Sequence, residues 1–347
     1  MNSPMATIDL AAYRKNLARL AERVAPAALM AVVKADAYGH RAVPIARAAV
    51  AAGVSWLGVL DIETGLRLRR NGIPREVAMF TWLLGPNEDY TAAIAAELDF
   101  GVSSLGQLDA IAGASVSGRA RVHLKIDTGL HRNGASIEQW PTLVTKALAL
   151  SDRIELVGIW THIAEASDHD DTMAINRFRS ALTIAERLGA NVTVRHLAAS
   201  AAAYKRADAR FDLVRVGAFC FGISPGGGVT ASSLLLEPVM TLTAPIIAVR
   251  DGLATVGIGY GDGIPSSAAN LVQISLDGVR HRVVSVQLDT LTVKTGKAIV
   301  RTGDTATLFG DGRHGEPTLQ EWADTLGTIG EELVTRLSPR IHRRFLE

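Results

Sequence analysis

The sequence predicts an α/β fold: an N-terminal (β/α)8 barrel followed by a C-terminal, mainly-β domain. Three observations point there. From about residue 28 to about 225, short runs rich in Val, Ile and Leu alternate with longer stretches of helical spacing, the signature of βαβ units and a parallel sheet. Eight such runs fit into about 200 residues, the size of a closed barrel. After about residue 230 the segments become short, β-branched and punctuated by Gly and Asp, which reads as an all-β domain.

The eight candidate strands are ALMAVVKA (28–35), SWLGVLD (55–61), EVAMFTWL (76–83), LDFGVS (98–103), RVHLKID (121–127), IELVGIWTH (154–162), NVTVRHLA (191–198) and FDLVRVG (211–217). They are near-continuously apolar, as strands covered on both faces should be. Helical segments lie between most of them, including Arg41–Ala52, Ile62–Asn71, Leu105–Ile111, Ile137–Leu150 and Thr172–Leu188. A doubly wound open sheet is the competing arrangement. The first turn lacks G-x-G-x-x-G, which speaks against its dinucleotide-binding version. The β domain is assigned from VMTLTAPIIAVR, ATVGIGYG, NLVQISLDG, RHRVVSVQLDTLTVKT and DTATLFGDG, with a helix at Thr318–Thr325 and a helical tail from Glu331 to Leu337. GISPGGGVTAS (222–232) reads as the linker, so the domains are expected at 1–230 and 231–347.

The 347-residue length suggests two domains at roughly 150 residues each, with a large barrel as the exception to that count. Net charge is +1, which favours neither nucleic acid nor an anionic membrane as partner. Cys220 is the only cysteine, so an intramolecular disulfide and a Cys-based zinc site are excluded, and no metal is expected. The N-terminal residues show no basic segment followed by an apolar core, and no apolar run is long enough to span a bilayer. The expected location is cytoplasmic.

Polar residues cluster at the C-terminal ends of the predicted barrel strands: Lys34, Lys125 with Asp127, His162, His196 with Ser200, and Arg215. That face carries the active site of a barrel, so these groups converge. A strand-end lysine is commonly a snorkelling or salt-bridged residue. The alternative for Lys34 is an amine desolvated for Schiff-base chemistry, which needs a rigid strand behind it and an anchored cofactor in front. Gly217 lets backbone N–H groups approach an anion, and Ser200 can cap a short helix and donate to the same phosphate; an ordinary turn glycine and helix cap are the plainer readings. Tyr260 lies in the glycine-rich loop GYGDGIP, where it is either surface packing or an acid/base that reaches a cofactor.

VVKADAYGH resembles the cofactor-lysine motif of the alanine racemase family, barrel-type enzymes that use pyridoxal 5'-phosphate. The resemblance continues through KIDTGLHRNG, WTHIAEASD, RHLAASAA, VRVGAFCFGIS, GIGYGDGIP and SPRIHRR, in the family's order from about residue 6 to about 343. It implies a barrel plus a β domain, with the ATIDL strand near the N-terminus joining the latter. It also implies a head-to-tail homodimer with shared active sites and a small amino-acid substrate.

Carried over by position, Lys34 matches the lysine that holds the cofactor. Tyr38, Ser200 and the backbone at Gly217 and Ala218 match phosphate ligands. Arg215 matches the arginine facing the pyridine nitrogen. Arg132 matches the arginine beside the cofactor's phenolic oxygen and the substrate carboxylate. Lys125 matches a lysine that is often carbamylated and holds that arginine. His162 matches the histidine that orients the catalytic tyrosine, Tyr260 of the partner subunit. Lys34 and Tyr260 are thereby the two bases that invert L- and D-alanine. Leu288 and Asp289 fall where the family holds the substrate carboxylate.

Four positions depart from the pattern. Glu331 stands where a tyrosine usually narrows the substrate entrance, Ile264 where the tyrosine loop has a second tyrosine, Ala199 in place of asparagine, and VQLD in place of a VSMD-like segment. These leave a larger or basic amino acid (serine, lysine, arginine) as the alternative substrate. A related decarboxylase and a non-catalytic cofactor carrier are further alternatives. Arg215 at the sink position, and Cys220 without an acidic neighbour, speak against the first. The β domain with its tyrosine loop speaks against the second.

Overall fold

The computed structural model describes residues 3–114, 118–296 and 298–347. Met1 and Asn2, part of the segment read for a leader, lie outside them. The chain forms two compact units. One comprises residues 20–34 and 49–217, the other residues 1–19, 35–48 and 218–347.

The chain begins with β1 (Met5–Asp9). The barrel then uses β2 (Ala28–Val32), β3 (Trp56–Leu60), β4 (Ala78–Thr81), β5 (Leu98–Val102), β6 (Ala120–Lys125), β7 (Ile154–Trp160), β8 (Val194–His196) and β9 (Leu213–Val216). All eight runs expected as strands form, shortened at their ends. They pair in parallel in sequence order, and β9 closes on β2 with Ala28 opposite Leu213. The fold class read from the alternation is the one observed.

The barrel interior is filled, not hollow. Met30, Phe80, Trp160 and Leu213 are almost fully buried, with Trp56 and Trp82 packed against them. Side chains this large need small neighbours on the facing strands. A Cβ at Gly101 would come within 2.7 Å of Phe80 and 2.8 Å of Trp160, so only glycine fits there.

In the second unit, β10 (Met240–Arg250), β11 (Leu253–Val256), β12 (Gln273–Leu276), β13 (Val279–Val286), β14 (Leu291–Lys294), β15 (Thr305–Phe309) and β16 (His342–Leu346) form one sheet with β1. Its order is β11-β14-β13-β12-β15-β10-β1-β16, and β10 also pairs with β11. The sheet is antiparallel except where β16 runs parallel to β1. Residues 222–232, read as a linker, lie inside this unit, whose last segment starts at Ala218. Ser224 anchors that stretch: its hydroxyl lies 2.9 Å from both Val229 O and Gln320 Oε1, and its one proton is available to either.

A helix missing from the sequence reading is Leu10–Val24. Its buried residues Leu10, Tyr13, Leu17, Leu20 and Val24 recur every three or four positions, the spacing of a helix with one apolar face. Helix Tyr90–Ala95 was also missed; it is a short turn capped by Asp89, whose side chain accepts from Ala92 N.

Candidate active site

Of the polar residues expected at the strand ends of the barrel, His162, His196 and Arg215 are in hydrogen-bond contact. Arg215, on β9, is buried, and its guanidinium lies at the centre. It donates to Thr161 O at 2.8 Å, Leu197 O at 3.1 Å, His162 Nδ1 at 3.0 Å and His196 Nδ1 at 3.0 Å. A guanidinium has donors only, so both rings present bare Nδ1 atoms and carry their protons on Nε2. Burial lowers the Arg215 pKa to about 9, with Glu165 raising it and Arg132 lowering it. It is therefore a cation at neutral pH.

Burial also pushes His162 down to about 2, and the positive charges of Arg215, Arg132, Lys125 and Lys34 add to that effect. His162 is consequently neutral. Four of the predicted cationic residues therefore act electrostatically on one imidazole, and Arg215 touches it. A pocket so charged suits anionic ligands.

Lys125, the last residue of β6, is buried. Its ammonium lies 4.5 Å from the centre of the Trp160 ring and donates to Asn133 Oδ1. Burial, then the charges of Arg215 and Arg132, lower its pKa to about 7, against the opposing pull of Asp127. Asp127 turns to its own loop, accepting from Gly129 N at 3.0 Å, His131 N at 3.1 Å and His131 Nδ1 at 2.8 Å. Arg132 follows in that loop and is exposed.

Ser200 opens the helix Ser200–Lys205 and accepts from Gly217 N at 3.1 Å. Two residues on, Ala202 N donates to Glu165 Oε1 at 2.7 Å, so this helix start already takes an anionic oxygen. Ala199, the residue before that helix, makes no side-chain cap.

Lys34 is half-buried and follows Val33, whose N–H continues the β2–β3 ladder to Gly58 O at 2.8 Å. Beyond it the chain does something the sequence did not suggest. Ala35, Asp36, Ala37 and Tyr38 all have φ between 51° and 55°, a left-handed turn built without glycine. Its hydrogen bonds are local: Gly39 N to Ala35 O at 3.0 Å, His40 N to Ala37 O at 3.0 Å and Arg41 N to Asp36 O at 2.8 Å. His40 is buried and neutral, its pKa lowered to about 4 by burial, and its Nδ1 hydrogen bonds Tyr38 O at 2.9 Å. Tyr38 is buried against the Phe221 ring at 5.3 Å. Burial and the Glu331 charge keep its hydroxyl protonated, so Glu331 acts on Tyr38. Ala218 is buried at the start of the turn Ala218–Phe221.

In the unit that contains the β sheet, the loop bearing Tyr260 is firmly held. Its N–H donates to Gln287 O at 2.8 Å, and Gly261 N donates to Leu288 O at 2.8 Å. Asp262 is buried, accepting from Gly259 N at 3.0 Å and from Arg340 at 2.9 and 2.7 Å. Tyr260 itself is 51% exposed and Leu288 53% exposed, while Asp289 sits 3.4 Å from Arg340. Ile264, at the expected second-tyrosine position, is buried.

Sequence reasoning missed Asn133, Trp160 and Glu165, and gave His196 no role. The signal for Trp160 was available: it precedes His162 by two positions, which places both side chains on the same side of the strand direction. Among the described residues, no group of three or more His, Cys, Asp or Glu side chains is placed to hold a metal ion. No helix among them is long and apolar enough to cross a membrane.

Comparison with known proteins gives one consistent result. Residues 8–225 match the family described as alanine racemase, N-terminal domain, and residues 243–345 match alanine racemase, C-terminal domain. An alanine racemase of Thermobifida fusca is 41% identical over 366 residues, covering 97% of this chain and 96% of its own. The crystal structure of alanine racemase from a D-cycloserine-producing Streptomyces lavendulae superposes with a TM-score of 0.96 at 36% identity, covering 100% of this chain and 98% of its own. Alanine racemase from Streptomyces coelicolor A3(2) gives a TM-score of 0.95 at 39% identity, over 99% and 98% of the two chains.

Proposed function

We propose that this chain, which belongs to the alanine racemase family, interconverts L- and D-alanine with pyridoxal 5'-phosphate as cofactor. The observation that carries this reading is the contact of Arg215 with His162 at the strand ends, where the charges of Arg132, Lys125 and Lys34 also act on that imidazole and keep it neutral. Such a donor set fits a phosphorylated cofactor and a substrate carboxylate. Ser200, Gly217, Ala218 and Tyr38 are the groups assigned to the phosphate. That Ala202 N donates to a carboxylate oxygen of Glu165 supports the assignment.

When bound through Lys34, the cofactor would supply an electron-withdrawing ring that acidifies the substrate's α-hydrogen. The residues do the rest. Lys34 Nζ is one base and the hydroxyl of Tyr260 of the partner subunit is the other. Two bases on opposite faces are what inversion requires, since one removes the proton and the other returns it. His162, held neutral by its surroundings, orients that tyrosine. Arg215 would face the cofactor's ring nitrogen; as a protonated donor it would leave that nitrogen unprotonated and so limit the ring's electron withdrawal. Arg132 takes the substrate carboxylate, with the partner's Leu288 and the partner's Asp289 at its edge. Lys125 braces Arg132. An amine with a pKa of about 7 has a large neutral fraction that can add to carbon dioxide and lose a proton, which supports carbamylation there. The enzyme is read as a homodimer of the cytoplasm, in keeping with its one reduced, buried Cys220.

Glu331 favours a second reading, a substrate with a cationic side chain, because its negative charge acts on Tyr38, one of the residues assigned to the cofactor. Cofactor-loaded protein should be assayed against a panel of L-amino acids by chiral chromatography. Fastest turnover of alanine is expected. Faster turnover of lysine or arginine would transfer the assignment to the second reading, and no turnover of any would overturn both.

A further inference from the structure

Arg215 is fixed from the far end of the barrel as well as from the strand ends. Asp99 stands near the start of β5, buried, with Arg121 donating to it at 2.7 Å through Nε and at 3.2 Å through Nη2. Asp99 Oδ2 lies 3.1 Å from His123 Nε2. His123 Nδ1 lies 3.0 Å from His196 Nε2, and His196 Nδ1 lies 3.0 Å from Arg215 Nη1. Both histidines are completely buried.

The protons in this chain have one consistent arrangement. A carboxylate only accepts, so His123 carries its proton on Nε2 and leaves Nδ1 bare. His196 must then donate from Nε2, which leaves its Nδ1 bare to accept from the guanidinium. Arg215, which only donates, fits this arrangement as long as the guanidinium is held where the rings place it. Reversing either ring would set N–H against N–H.

The interior is shaped around this chain. A Cβ at Gly158 would fall 2.3 Å from His123 Nδ1, so β7 must carry glycine opposite that ring. Phe80 packs on His123 at 5.0 Å, and His196 stacks on Trp160 at 5.7 Å with planes 8° apart.

We infer that Asp99 is a positioning residue: through His123 and His196 it dictates which imidazole nitrogen faces Arg215, and so holds the guanidinium in place. The effect on turnover rests on the proposed place of Arg215 at the cofactor ring; the arrangement of protons does not.

The test uses holoenzyme labelled with 15N-histidine, with long-range proton–nitrogen spectra reporting the tautomer of each ring. In the wild type, His123 and His196 should both be protonated on Nε2 alone. In Asp99→Leu, both rings should lose that fixed state. kcat should fall about ten- to a hundredfold with KM within about twofold, a smaller loss than when a mis-set histidine itself moves the proton. A wild-type ring protonated on Nδ1, or unchanged tautomers in Asp99→Leu, would overturn the role of Asp99. Altered tautomers with unchanged kcat would instead overturn the place of Arg215 at the reacting ring. Should Asp99→Leu fail to fold, His123→Phe breaks the same chain and should free the His196 tautomer; a His196 still fixed on Nε2 would overturn the inference.

Discussion

Lys125 shows how burial becomes function at the scale of one residue. In the unfolded chain it is charged up to its ordinary value of 10.5; in the barrel it gives up its proton at about 7. Between those values the unfolded chain binds more protons than the folded one, so stability rises with pH across that window. Below about 7 the full cost of burying the charge is present. Lys125→Met should flatten this rise. Urea unfolding at several pH values in carbon-dioxide-free buffer measures it, and an unchanged slope would show that Lys125 does not titrate this way. That Lys125 would matter was legible from its place at a strand end. Its partner Asn133 was not, because that contact depends on how the 127–134 loop folds back.

The segment after Lys34 is where the structure adds most to the sequence at the scale of the element. KADAYGH carries one glycine, yet the four residues before it adopt the left-handed region, at a cost of roughly 1–2 kcal/mol per residue. Side chains offset this. Asp36 Oδ1 accepts from Ala42 N at 2.9 Å, and its other oxygen pairs with Arg41 at 3.2 Å. Asp36→Ala should therefore destabilise the protein by about 1–2 kcal/mol. Chemical denaturation reads this directly, and a change below about 0.5 kcal/mol would mean that other contacts hold the turn. Backbone handedness has no periodicity to betray it, and the buried His40 ring ties down the turn through Ala37 O and Tyr38 O. The barrel strands, by contrast, were legible throughout, since eight apolar runs separated by helical spacing admit few other folds. The short helix at Tyr90–Ala95 was not, because six residues are too few to show a period.

For the whole molecule, the proposed mechanism needs two bases on opposite faces of one substrate. Tyr260 is half-exposed on a loop held by Asp262 and Arg340, and the proposal assigns it to the partner's site. The direct test is to co-express Lys34→Ala and Tyr260→Phe chains. Each variant alone should lose racemisation, Tyr260→Phe by about 10²–10⁴-fold, with Lys34→Ala also losing the Schiff-base absorbance. In random mixed dimers, one of the two sites of each heterodimer pairs an intact Lys34 with an intact Tyr260, so about a quarter of wild-type activity should return. Activity no greater than that of the separate variants would contradict a proton passed between Lys34 of one subunit and Tyr260 of the other.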